Sequence, residues 1–252
     1  MTASETPGPE KAGLITPPLP GAFSLISSSL AFLATPPHAA VLYGFAGWLI
    51  IPVLISLGAS FLDPAFGEPI EILAAVLFLG LSLWASAAMT IMITGIVRPD
   101  LVPTDAVTSV SELAWRRAPT LLWVSLLTII LQVFGFIFIV PGVIFTVWFA
   151  FAETEAVLTG SRVFSSLEQS RQRVRGHFFA VLWRMFAFSF VLSFIVSLIL
   201  SPILSAAGIT EISAIFPDMP AWLNAVISAI TILLMPLILT YELHLYFSLR
   251  KP

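Results

Sequence analysis

The chain has 252 residues, of which 58% are hydrophobic and only 10% charged, with 21 phenylalanines and a mean hydropathy of +1.02. Soluble domains carry about 45 to 50% apolar residues, so this composition excludes an ordinary soluble fold and indicates a membrane protein. Eleven Lys and Arg against fourteen Asp and Glu leave a net charge of −3, and the lack of cysteine excludes disulfides, thiol catalysis and thiolate metal sites.

Residues 1–20 are rich in Pro and Gly and read as a disordered cytoplasmic tail without the basic-then-apolar order of a cleaved signal peptide. A membrane-crossing helix needs about 20 apolar residues. Such runs follow at 39–62 and 70–97 and again at 178–206 and 221–248. Between them lies the apolar block 119–160, which as one helix would be a rod of about 63 Å, too long for one crossing. Pro141-Gly142 near its middle predicts two spans joined by a tight turn. The count is then six, an all-α polytopic bundle. Pro52 and Pro236 predict kinks in the first and sixth spans.

Charge placement tests the count. Apart from Lys11, every positive residue falls in three groups: Arg98, Arg116 and Arg117; Arg162, Arg171, Arg173, Arg175 and Arg184; and Arg250 with Lys251. The connections 63–71 and 207–220 carry Asp63, Glu68, Glu71, Glu211 and Asp218 with no Lys or Arg. Lys and Arg are retained on the cytoplasmic side during insertion. Six spans with both termini inside satisfy every connection. A single crossing over 119–160 would put the two richest basic groups on opposite faces.

The basic stretch at 161–176 has more order than an anchor needs. Phe164, Leu167, the Arg171 stem and Val174 fall near one helical face, with Glu168, Gln172 and Arg175 on another, which predicts a short amphipathic helix in the interface. A shift of 56 positions lays Ser109 on Ser165, Glu112 on Glu168, Arg117 on Arg173 and Trp123 on Phe179, and the stretch around Leu30 to Pro36 is a fainter third copy. The expected architecture is three units, about 21–98, 104–160 and 161–252, each an interfacial helix, a breaker (Pro36, Pro119 or Gly176) and a transmembrane hairpin.

The stretches FIVPGVIFTVWFAFAETEAVLTG and SSLEQSRQRVRGHFF, with the ending LYFSLRKP, resemble the membrane domain that accompanies some bacterial glycerophosphoryl diester phosphodiesterases, and related bacterial multi-pass families. The resemblance is carried by Val140-Pro141-Gly142, by the segment from Ser170 to Gly176 and by the aromatic pair before Leu249-Arg250. Where the family ends on an acidic residue this chain has Ser248. The resemblance implies a multi-helix module of the bacterial plasma membrane without an assigned reaction. The phosphodiesterase activity belongs to a separate soluble barrel for which this chain has no room.

Ionisable groups within a bilayer are costly and mark candidate sites. Glu153 and Glu155 fall in the fourth span, Arg184 in the fifth, and Glu242 and His244 in the sixth, all toward the cytoplasmic end. The expectation is that Arg184 neutralises one of these carboxylates. Arg116, Arg117, Arg171, Arg173 and Arg175 form a candidate cytoplasmic basic surface, first of all a topological anchor and, on a sharper reading, a dock for anionic lipid or an acidic protein partner. It lacks the interleaved aromatics that nucleic acid would need. Serines at 189, 193, 197, 201 and 205, and Ser82, Ser86, Thr90 and Thr94, recur every four residues and predict packing seams. Trp48 and Trp84 read as packing residues within their spans, Trp115 and Trp222 as interface residues. No metal spacing, cofactor loop or catalytic constellation appears, and no interrupted helix flanked by polar ligands is expected. The sequence therefore reads as a non-enzymatic membrane scaffold or regulatory module, with a transporter or lipid-handling protein as the alternative.

Overall fold

The computed structural model describes residues 19–62, 64–101, 107–207 and 220–249. The expected disordered tail lies outside these apart from Leu19 and Pro20, as do Lys11, Asp63, Glu211, Asp218, Arg250 and Lys251. Among the described residues the chain forms ten α-helices and no strand: α1 Ala22–Leu33, α2 Pro36–Gly47, α3 Ile50–Ala59, α4 Pro64–Val97, α5 Val107–Phe136, α6 Val140–Trp148, α7 Ala152–Thr159, α8 Val163–Val174, α9 Phe178–Ala206 and α10 Ala221–Leu249. They supply six segments long and apolar enough to cross a membrane: α2 with α3, α4, α5, α6 with α7, α9, and α10.

The first span is in two pieces because of Pro52. Its ring crowds the carbonyl four residues earlier, that of Trp48, and it has no N–H to offer. Helix α2 stops at Gly47 and α3 restarts at Ile50, bridged by Leu49 N–H to Ala46 O at 3.0 Å and Ile51 N–H to Trp48 O at 3.3 Å. The expected kink is a break, and Trp48 lies 55% exposed on the outside rather than packing within the span.

The block 119–160 does fold back, but not at Pro141-Gly142. The reversal occupies residues 137–139, where Ile139 takes φ 54 and ψ −63 and Val140 N–H reaches Phe138 O, a γ-turn of the rare positive-φ kind. Pro141 opens α6, where its missing N–H costs nothing. Gly142 serves close approach: a Cβ there would stand 2.6 Å from the Phe136 ring, and one on Gly135 would stand 2.9 Å from the Gly142 backbone. These two glycines let α5 and α6 touch directly below the turn.

The core is built on the C-terminal half of α4. Ala85, Ala87, Ala88, Met89, Ile91 and Ile93 are buried there against residues of α2, α5 and α10 such as Leu42, Leu121 and Leu243. Thr90 and Thr94 of the expected seam are buried with them. The serine stripe of α9 is not a seam within this chain, since all five serines are exposed. Helix α9 lies at the edge of the bundle, against α1 and α6 and, through Phe188 stacked on Tyr241, α10, with its serines exposed.

The breakers of the expected units are not alike. Pro36 opens α2 and Gly176, at φ 89, separates α8 from α9. Pro119, however, sits inside the continuous helix α5, so no separate interfacial helix precedes that span. The proline is on the exposed side of α5, and the carbonyl it orphans belongs to Trp115, itself 53% exposed. A free carbonyl there costs little.

Candidate functional site

The fourth span is interrupted, contrary to the sequence expectation. Residues 149–151 leave the α-helix although none is Gly or Pro, and Phe149 and Phe151 take φ near −105 and −108 with ψ near 9 and 12. Such a break strands backbone groups that must find other partners. Ser170 of α8 supplies them: its Oγ donates to Trp148 O at 2.8 Å and accepts from Phe151 N–H at 3.1 Å. Ser170 is fully buried. Helix α8 thus lies across the break as its cap.

This docking chooses the face of α8. Ser166, Leu167, Ser170 and Val174 are buried against the bundle, while Phe164 is 77% exposed. The predicted apolar face is rotated, because the contact is with a protein groove that accepts small hydroxyls rather than with lipid alone. Arg171 does not bury its stem as expected. It stays exposed, its guanidinium 4.6 Å from the centre of the Trp148 ring.

Beyond the break, Glu153, Thr154 and Glu155 follow one another on α7. Successive helical residues are about 100° apart around the axis, so three in a row address three different neighbours. Glu153 accepts from Ser125 of α5 at 2.6 Å on the outer surface of the bundle. Thr154 donates to Glu242 of α10 at 2.6 Å. Glu155, 1% exposed, accepts from Arg173 of α8, with Nε at 2.6 Å and Nη2 at 2.5 Å from the same oxygen. The Arg173 guanidinium also lies 4.1 Å from the centre of the Tyr246 ring of α10. Helix α7 is a hub that ties α5, α8 and α10 together by polar contacts.

The C-terminus of α7 ends on Gly160 in the left-handed region at φ 64. The guanidinium of Arg117 packs against it so closely that a Cβ at position 160 would stand 1.4 Å from its Nη1. A cation at the C-terminal end of a helix is favourably placed.

The expected partner of the intramembrane carboxylates is therefore wrong. Arg184 donates to the carbonyls of Leu19, Pro20 and Ala180 at 2.9, 2.8 and 2.7 Å and makes no ion pair with Glu153, Glu155 or Glu242. It clamps the segment before α1. The carboxylate is instead neutralised from α8, because Arg173 approaches from the bundle end while Arg184 is held at the edge by α9. His244 is likewise apart from the others, its Nδ1 3.3 Å from Ser29 Oγ of α1.

The five candidate surface arginines divide. Arg117 and Arg173 turn inward, to Gly160 and Glu155. Arg116 and Arg171 are exposed and pair along their own helices with Glu112 at 2.6 Å and Glu168 at 3.8 Å. Arg175 is exposed and has no ion-pair partner among the described residues. Among those residues no three His, Asp or Glu are grouped so as to hold a metal ion. No family model, no curated protein and no solved structure matches the chain.

Proposed function

We propose that this multi-pass membrane protein is a non-enzymatic scaffold or regulatory module of a bacterial plasma membrane, which presents α8 as a fixed platform to a cytoplasmic or membrane protein partner with an acidic surface. The observation that carries this reading is the seating of α8: Ser170 and Arg173 lock one face to the fourth span, while Arg171 and Arg175 stay exposed. A helix held in this way offers its charges without the ordering cost of a free amphipathic segment. In the same proposal the α8 end faces the cytoplasm, as retention of Lys and Arg requires, and the chain is akin to the phosphodiesterase-associated membrane domain through its Val140-Pro141-Gly142 and Ser170 to Gly176 segments.

The test is a photocrosslinker at position 172 in cells. One defined protein adduct, lost in Arg171→Ala/Arg175→Ala without loss of folded protein, is expected. Purified protein that drives accumulation of a labelled solute in liposomes, with no adduct in cells, would overturn it in favour of a transporter or lipid-handling protein. That second reading has one observation behind it, the interrupted fourth span with Glu153, Thr154 and Glu155 directly after the break, since broken helices beside polar groups are how transporters build sites.

A further inference from the structure

At the α8 end of the bundle lies a depression of about 610 Å³ whose wall includes Glu155, Thr159, Arg173, Arg175, His177 and Leu249. These residues come from the last turns of the fourth and sixth spans, the residue before the fifth, and the end of α8. Three spans end around it, which is the level of lipid headgroups. Its chemistry is unbalanced in two ways. Glu155 gives one oxygen to Arg173, but its Oε2 is buried with no hydrogen-bond partner. Buried acceptors without donors are rare because nothing repays their lost hydration. Arg175 is exposed and without a carboxylate, so two guanidinium charges face one carboxylate.

A second, largely apolar groove of about 210 Å³ runs between α9 and α10, walled by Met185, Phe188, Leu192 and Leu245, with Tyr241 and Glu242 also on its lining. Leu245 and Leu249 are one turn apart on the same face of α10. The groove therefore starts about 6 Å deeper in the membrane than the depression.

We propose that depression and groove together bind one anionic phospholipid with a hydroxyl-bearing headgroup. The phosphodiester sits on Arg175 and His177, a headgroup hydroxyl donates to Glu155 Oε2, and an acyl chain lies in the α9–α10 groove. A phosphoglycerol headgroup has this character: its single negative charge matches the excess guanidinium, and its hydroxyls donate without adding a second cation beside Arg173. A choline headgroup has no N–H or O–H to give Glu155. The inference goes beyond the scaffold reading and stands without it.

The test uses the full chain in detergent, titrated with dioleoyl phosphatidylglycerol or dioleoyl phosphatidylcholine and read by native mass spectrometry. One phosphatidylglycerol per chain is expected, held about tenfold or more tighter than phosphatidylcholine, as one hydrogen bond to a charged group implies. Arg175→Ala removes the excess positive charge but not the Glu155 acceptor, so it should weaken both lipids and reduce that preference, whereas Arg162→Ala, an exposed arginine outside the depression, should keep it. Leu192→Trp, which fills the groove, should weaken both lipids while leaving the preference between them. Equal retention of the two lipids, or a preference indifferent to Arg175, would overturn the headgroup site. Glycerol 3-phosphate competing as well as the whole lipid would overturn the part played by the groove.

Discussion

Replacing Ser170 by Ala removes one hydroxyl and orphans two backbone groups. Phe151 N–H loses its acceptor and Trp148 O loses its donor, both beneath a side chain with no solvent exposure. Each unsatisfied buried group costs about 1 to 3 kcal/mol, so with two orphaned groups the variant should lose about 2 to 6 kcal/mol of the energy that holds α8 on the bundle. Tryptic cleavage after Arg171 or Arg175 requires α8 to lift off, and at about 1.4 kcal/mol per factor of ten its rate should rise by roughly 30- to 20,000-fold. Ser170→Thr keeps the hydroxyl and should restore most of the protection. Ser165→Ala, which only removes the exposed acceptor of a Gln169 amide at 3.1 Å, should change the rate less than about twofold. If Ser170→Ala is cleaved no faster than Ser165→Ala, α8 is not the cap of the interrupted span, and the platform reading fails with it.

Three further outcomes follow from the same geometry. Arg173→Ala leaves Glu155 charged and buried, and should cost about 3 to 5 kcal/mol of stability in detergent unfolding, whereas Arg173→Ala/Glu155→Ala should cost clearly less. Gly160→Ala places a methyl group where the Arg117 guanidinium lies and strains a left-handed residue, so Arg117→Ala should rescue part of the loss and leave the roughly 1 kcal/mol owed to φ. Gly135→Ala forces a Cβ to 2.9 Å from the Gly142 backbone, which cannot rotate away, and should lower the melting temperature by more than Gly80→Ala, where the space is open.

Six spans were legible because hydrophobic length and arginine placement act independently and agree. The hairpin in 119–160 was required by length alone, yet its turn falls at 137–139, since Pro141 is better used at a helix start and Gly142 at a contact. The break at 149–151 had no local sign at all. It has no Gly or Pro, and it exists because Ser170, 19 residues further along, provides what the helix gives up. The hub residues Thr154 and Ser125 carry no charge and so drew no notice, while Arg184 drew it wrongly: a charge can be placed in a span from sequence, but its partner is chosen by tertiary approach. A signal for Ser170 was present only in retrospect, as a small polar residue on the inner face of a helix whose other faces are charged.

The pair of Glu155 and Arg173 has a role beyond stability, because buried ion pairs are better attested as devices that fix register. If α8 moved forward by one turn, about 6 Å, Ser166 would arrive where Ser170 caps the break and Val163 where Leu167 packs. Both substitutions are chemically tolerable. Three positions would be spoiled: Gln169 would come to Glu155 in place of Arg173, Ser170 to the core position of Val174, and Arg162 to the buried position of Ser166. The ion pair is thus the one charged contact among the three that separate the observed register from its nearest rival. Exchanging the two, Gln169→Arg/Arg173→Gln, should move α8 by that turn, with the first helical turn unwinding to lengthen the link from Gly160. The lack of native cysteine makes the readout clean. With a thiol at position 148, a short bifunctional reagent should join it to a thiol at 171 in the parent and at 167 in the exchanged chain, because Arg171 lies over Trp148 in the observed register. Should the crosslink remain at 171 after the exchange, the buried seats of Ser166 and Val174 or the connecting segments, and not the ion pair, set where α8 rests.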